Sequence, residues 1–141
     1  MSIVSELKSG SAWYVPGGCS TIGRLFNDAC GRYAFAEDKH SGSIPLAFET
    51  VFDKAGDADV WTIKYNRDRD MTYSDLKADY IGYTGFKAFK TRNISGSNTA
   101  KAPFYEETPF RPDYLLSDLI QILHPEIGDL GGLRYFCKLN E

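Results

Sequence analysis

The stretch Ala12-Trp13-Tyr14-Val15-Pro16-Gly17-Gly18-Cys19-Ser20-Thr21-Ile22-Gly23-Arg24-Leu25-Phe26-Asn27-Asp28-Ala29-Cys30-Gly31 decides the fold. Ala12 to Val15 reads as strand, and Pro16-Gly17-Gly18 breaks the chain. Ser20 supplies a capping oxygen for a helix whose Ile22, Leu25, Phe26 and Ala29 fall at i, i+3, i+4 and i+7, one apolar face. Gly31 is placed to end that helix in the left-handed conformation. The unit is therefore a strand, a tight turn and an amphipathic helix.

The same kind of unit recurs outward in both directions. Ile3 to Leu7 reads as a strand before it, and Tyr33 to Ala36 as a short strand after it, followed by a polar loop through Gly42. A second helix begins near Ala47, carries Phe48, Val51, Phe52 and Ala55, and stops at Gly56. Val60 to Tyr65 mixes β-branched and aromatic residues as a central strand does. Thr72 and Asp75 have capping-box spacing for a third helix reaching Tyr80. Asn93 to Ser97 is a further strand. A fourth helix runs from Pro112 to Leu123, with Pro125 beyond it, and Leu133 to Leu139 is a final edge strand. Strands alternating with helices predict an α/β fold, a mostly parallel sheet between two helical layers. In such sheets ligands lie outside the carboxyl ends of the strands, which points to the loops 13–20, 36–46, 65–72 and 98–112.

The 141 residues suffice for one domain. Apolar residues make up 43% and charged residues 25%, an ordinary globular balance that excludes a disordered chain. A net charge of −3 argues against nucleic acid, which requires a clustered positive excess. No apolar run approaches the roughly 20 residues that span a bilayer, and the amino terminus shows no export signal. Read alone, that terminus indicates a cytoplasmic protein; a piece of a longer exported protein reads the same way.

The chemical motifs are weak ones. Gly17 to Gly23 lies where a phosphate loop would sit, but Arg24 and Leu25 replace its Lys and Ser or Thr. Asn66-Arg67-Asp68-Arg69-Asp70 opens like a calcium loop, yet Met71 stands for its Gly and Lys77 for its closing Glu. Arg67 and Arg69 either face an anionic ligand or form a solvated charged loop. Cys19, Cys30 and Cys137 lack metal-site spacing and read as free, mostly buried thiols, with a Cys19–Cys30 bridge as the alternative. Ser20 or Cys19 as a nucleophile needs a histidine base; His40 is conceivable, whereas His124 reads as capping its own helix. Glu106 and Glu107 are adjacent on a loop and need not converge on one substrate. Trp13, Tyr14, Tyr65 and Tyr105, near strand ends, fit the lining of an apolar cleft.

Several stretches together resemble one family: Trp13-Tyr14-Val15-Pro16-Gly17-Gly18 with Ser20 to Ala29, Gly42 to Phe52 around Glu49, Ala58-Asp59-Val60-Trp61, and Arg111 to Glu126. They resemble the end of the periplasmic substrate-binding proteins of ABC transporters for iron chelates, the ferrichrome- and cobalamin-type class. The resemblance covers nearly the whole chain and implies that residues 1–141 are the C-terminal lobe of a two-lobe protein. The N-terminal lobe and the bridging helix lie outside this sequence, and the location is periplasmic or extracytoplasmic. It implies a non-enzymatic role in which a ferric siderophore, haem or corrinoid is held between lobes and presented to a membrane permease. Glu49 occupies the position of the lobe's permease-docking glutamate, with Ala47 where a capping Ser is usual. By position, Trp13, Tyr14, Tyr65, Arg67 and Tyr105 are the expected ligand residues, the aromatics stacking on the chelator and Arg67 meeting carboxylate or catecholate oxygen. No cofactor or protein-bound metal is expected, since the chelator fills the metal's coordination sphere. The alternatives are a small cytoplasmic hydrolase-like enzyme using the Cys19–Ser20 loop and a sensor or chelatase-like domain.

Overall fold

The structure, a computed structural model, describes residues 1–127 and 131–141. Its strands are β1 (Ser2–Ser5), β2 (Lys8–Ser9), β3 (Ala12–Pro16), β4 (Arg32–Tyr33), β5 (Ser43–Leu46), β6 (Val60–Tyr65), β7 (Ile94–Asn98) and β8 (Cys137–Lys138). Its helices are α1 (Thr21–Asp28), α2 (Phe48–Ala55), α3 (Tyr73–Asp79), α4 (Lys87–Lys90), α5 (Phe104–Glu107) and α6 (Pro112–Leu123), with 3-10 turns at Ile81–Gly85 and Pro125–Ile127. The main sheet has the order β4-β1-β6-β7-β8. Its first four strands are parallel, and β8 runs antiparallel to β7. This is the expected α/β architecture, with β6 in the centre.

One face of the sheet is covered by α1 and α6. Thr62 and Lys64 look toward Ile22, Phe26, Leu115 and Leu119. At the far end of α6 His124 is the C-cap, as expected, its N–H bonding Ile120 O at 2.8 Å, and its ring also bonds the Ala29 carbonyl at 2.6 Å, tying down the end of α1. Asp118 on α6 is buried, and its carboxylate accepts the N–H groups of Arg134, Tyr135 and Phe136 at 2.8, 2.8 and 3.2 Å. That grip holds the segment leading into β8. Burial pushes the Asp118 carboxyl up, opposed by those three donors.

The opposite face is aromatic. Trp61 stacks on Phe86 at 5.0 Å and meets the edge of Tyr83 at 5.3 Å, with Trp13, Phe48 and Tyr80 completing the cluster. Such offset and edge-on pairs are each worth about 0.5–1.5 kcal/mol beyond their area.

Several elements differ from the sequence reading. Ala12–Pro16 does not join the main sheet; it is the middle strand of a second, antiparallel sheet, β2-β3-β5. Ser43–Leu46, expected as loop, is an edge strand, where a proline is tolerated. The last strand is only Cys137–Lys138, and Tyr33–Ala36 shortens to Arg32–Tyr33. After α1 the left-handed residue is Cys30 (φ 59°), not Gly31. Gly31 is required for a different reason: a Cβ there would lie 2.8 Å from the Leu123 side chain. The three thiols are free; Cys30 and Cys137 are exposed and Cys19 half-buried, so none is the buried thiol expected.

At the amino ends of the strands, Asp59 accepts the Ser2 N–H at 3.0 Å and pairs with Lys87 at 2.6 Å. The Lys87 ammonium first, then the Ser2 N–H, lowers its pKa to about 2. A depressed carboxyl stabilises the fold above its unfolded pKa of about 4 and loses that contribution as pH falls toward the folded value. Between pH 4 and 2 the unfolding free energy of the wild type, read from urea titrations, is expected to fall by about 1 kcal/mol more than that of Asp59→Asn, the partial exposure of the group limiting the effect.

Candidate ligand-binding site

β6 and β7 end together at Tyr65 and Asn98, β1 ends at Ser5 opposite Thr62, and their carboxyl edge is where chemistry-bearing side chains collect. The edge begins with an unusual backbone. Glu6, directly after β1, is left-handed (φ 74°) without being glycine. Its N–H bonds Thr62 O at 3.0 Å, and its carbonyl accepts the Trp61 indole N–H at 2.9 Å. So held, its carboxylate meets Lys64 Nζ at 2.9 Å. The Lys64 ammonium also lies 5.1 Å from the centre of the Phe104 ring and 5.8 Å from that of Tyr105.

Beside this pair the N-terminus of α1 opens onto a cavity of about 310 Å³ lined by Glu6, Tyr14, Thr21, Ser43 and Lys64. The turn before α1 is fixed by close backbone approach. A Cβ on Gly18 would sit 2.3 Å from both Ala36 O and Asp38 O, and one on Gly17 2.3 Å from His40 O. Ser20 caps α1 in the expected way: its Oγ accepts the Gly23 N–H at 3.0 Å and donates to Gly17 O at 2.6 Å. That double engagement and its burial make Ser20 a structural cap of the turn. The His40 ring is turned to Asp38 at 2.9 Å.

The five expected ligand residues separate into groups. Tyr14, 50% exposed, lines the cavity with Lys64, and the ring of Tyr105, 61% exposed, lies 5.8 Å from the Lys64 ammonium. Trp13 is fully buried, its indole donating to Ser5 O at 3.0 Å, so it is core and touches no ligand. The alternation of a strand explains both: Trp13 faces inward and Tyr14 outward. The same alternation puts Tyr65 on the sheet face opposite Lys64, in a second cavity of about 240 Å³ with Asp70, Asn98 and Lys101. Its hydroxyl accepts the Met71 N–H at 3.0 Å, and burial raises its pKa. Arg67 is partly exposed and pairs through Nη2 with Asp79 at 2.9 Å. Glu49 lies in the first turn of α2, exposed, with no side-chain cap from Ala47.

Two residues of the edge were not anticipated. Lys64 is the only charge in an otherwise uncharged strand, Val60–Tyr65, and that anomaly was the available signal. Asn98, buried at the end of β7, accepts the N–H groups of Arg67 and Ala100 and donates to Arg67 O at 2.9 Å, fastening the loops after β6 and β7. The loop after β6 is further held by Arg69, which makes two 2.8 Å bonds to Asp75 and keeps that carboxyl well below its usual range. Among the described residues no three His, Cys, Asp or Glu side chains gather closely enough to hold a metal ion, and no helix is long and apolar enough to cross a membrane.

An open parallel sheet with an aromatic and charged carboxyl edge is the architecture of a solute-binding lobe. A family model for periplasmic binding proteins matches residues 1–96, and the chain belongs to that family. It is 30% identical over 133 residues to an uncharacterized lipoprotein of Methanocaldococcus jannaschii, covering 92% of this chain and 31% of that one. Among solved structures it resembles the TroA-like periplasmic binding protein FepB of Veillonella parvula, with TM-score 0.67, 13% identity, and coverage of 99% of this chain and 48% of that one. It also resembles a possible iron-binding, periplasmic solute-binding protein of Staphylococcus epidermidis, with TM-score 0.61, 16% identity, and coverage of 87% and 45%. The chain thus spans about a third to a half of the length of the proteins it matches. These families bind substrates; they are not enzymes.

Gly18→Ala is expected to push the 36–42 loop off the α1 turn and to lower stability by about 1–3 kcal/mol, the cost of overpacking. Tyr105→Ala, removing an exposed ring, should leave the urea midpoint within about 0.5 kcal/mol of wild type.

Proposed function

We propose that residues 1–141 form the C-terminal lobe of an extracytoplasmic substrate-binding protein of an ABC importer, and that its carboxyl edge is one wall of a cleft for a metal chelate. A ferric siderophore, haem or corrinoid is the class of ligand. The observation that carries the reading is that exposed Tyr14 lines a cavity with Lys64, and that the exposed Tyr105 ring lies 5.8 Å from the Lys64 ammonium, at the carboxyl ends of parallel strands. Two rings with polar tips and a positioned ammonium suit a ligand with a flat or greasy surface and oxygen-rich rims. The second lobe supplies the facing wall. The likeness to a possible iron-binding, periplasmic solute-binding protein supports the same class.

Ligand contact is tested by titrating ferric trihydroxamate, haem and cyanocobalamin into the protein and following Trp and Tyr fluorescence. The wild type is expected to bind at least one of them, weakly and saturably. The Tyr14→Ala, Tyr105→Ala double variant should weaken that binding about tenfold, the loss of one to two kcal/mol of ring contact. Saturable binding unchanged in the double variant excludes this edge as the wall.

Glu49 is the residue through which this lobe meets the permease. A carboxylate in the first turn of a helix is favoured by the helix dipole, and an exposed one suits a guanidinium on a partner. Glu49→Arg in the complete binding protein is expected to leave ligand affinity unchanged and to cut transporter-dependent uptake at least tenfold; unaltered uptake excludes docking through this residue.

A further inference from the structure

Helix α2 carries two carboxylates, Glu49 and Asp53, one turn apart and both exposed. Neither has an ion-pair partner among the described residues. On α3, whose two carboxylates are also a turn apart, Asp75 meets Arg69 and Asp79 meets Arg67. Like charges at i and i+4 repel, and Ala47 gives α2 no side-chain cap. Two local rules are thus broken on one eight-residue helix, as happens where a surface serves a partner rather than the fold.

An apolar feature runs alongside. Phe48 and Phe52 form a second ridge on α2, about 100° round the helix from the carboxylates, with their rings stacked at 5.8 Å. The turn Ile81–Gly85 is laid flush along this ridge by its two glycines. A Cβ on Gly82 would stand 2.8 Å from the Phe48 ring, and one on Gly85 would stand 2.8 Å from the Phe52 ring. Phe52 also meets the Phe86 ring edge-on at 5.3 Å. So firmly seated, Phe52 is still 40% exposed, and Ile81, next to Gly82, is 61% exposed. A large apolar side chain held rigid at the surface loses little entropy when a partner covers it, which is what an interface anchor needs.

We infer that the permease contact of this lobe is a composite surface on α2 and the turn after α3, with an apolar anchor of Phe52 and Ile81 beside an acidic ridge of Glu49 and Asp53. Its occupant is a permease segment that presents basic side chains one helical turn apart, flanked by an apolar strip. Charge complementarity assigns that occupant, since two uncompensated carboxylates attract cations at their own spacing and reject an acidic face. The inference rests on docking through Glu49 and extends it: Asp53 adds register and steering, and the apolar anchor adds residence time. The two ridges carry different kinetic signatures. Exposed carboxylates act at long range through association that salt suppresses, whereas covered apolar area acts through dissociation.

The test uses the complete binding protein and its purified permease complex, with association and dissociation followed by surface plasmon resonance at low and physiological salt. Asp53→Asn is expected to slow association about threefold at low salt and to flatten its salt dependence. Ile81→Ser is expected to speed dissociation about five- to tenfold with the salt dependence unchanged. Ile81 is mostly exposed, so this variant keeps its fold. Phe52→Leu, which keeps an apolar side chain against Gly85 while removing the exposed ring, is expected to speed dissociation about threefold. Unchanged dissociation in Ile81→Ser and Phe52→Leu, with binding of Glu49→Arg impaired, overturns the composite surface and leaves docking through Glu49 standing. Glu49→Arg that binds as the wild type overturns the docking itself and the composite surface with it.

Discussion

Two indole N–H groups at the exit of β1 hold the rest of the structure in place. Trp13 donates to the carbonyl of Ser5 and Trp61 to the carbonyl of Glu6. Both carbonyls lie where the strand leaves its ladder under an aromatic layer, where an unpaired acceptor is costly. Satisfying them from two tryptophans of that layer docks the small antiparallel sheet onto the large parallel one. The Lys8 N–H bond to the Tyr83 hydroxyl, 2.9 Å, fixes the same hairpin from its other arm. With Trp13 locked inward, strand alternation leaves Tyr14 no choice but to face out. The outward tyrosine and the core tryptophan are consequences of one register.

The helices were legible because their signals are local. Ser20, the Thr72–Asp75 box, Pro112 and the apolar spacing on α1 and α6 each act within a turn or two, and α1, α2, α3 and α6 form where those signals place them. The parallel sheet followed from alternation of element types. What escaped was decided by distant partners. Ser43–Leu46 becomes a strand only because β3 lies beside it, and nothing in four residues with a central proline announces that. Cys30 rather than Gly31 takes the left-handed position, and Gly31 lies against Leu123, far along the chain.

The candidate site divides along the same line. Tyr14 and Tyr105 were identifiable from their place near strand ends, whereas Trp13 beside them was indistinguishable from a cleft residue until its register was known. Arg67 read as a free cation because its partner, Asp79, comes a helix later. Lys64 and Glu6 are far apart in sequence and meet only because β1 and β6 are neighbours. Sequence spacing reveals which charges exist; strand order decides which of them cancel. The resulting wall is stiff, since Asn98, Asp75 and the two glycines before α1 tie every loop of the edge to a strand or helix, so little ordering entropy remains to be lost on binding.

Pro45, exposed in the outer strand of the small sheet, has a further consequence. It lacks the N–H that a neighbouring chain would need to lengthen the ladder, and it sits in the middle of a four-residue strand. A foreign β-segment finds no continuous row of donors and acceptors there, so this border resists growth into fibrils and exchange of strands between molecules even where the protein is crowded.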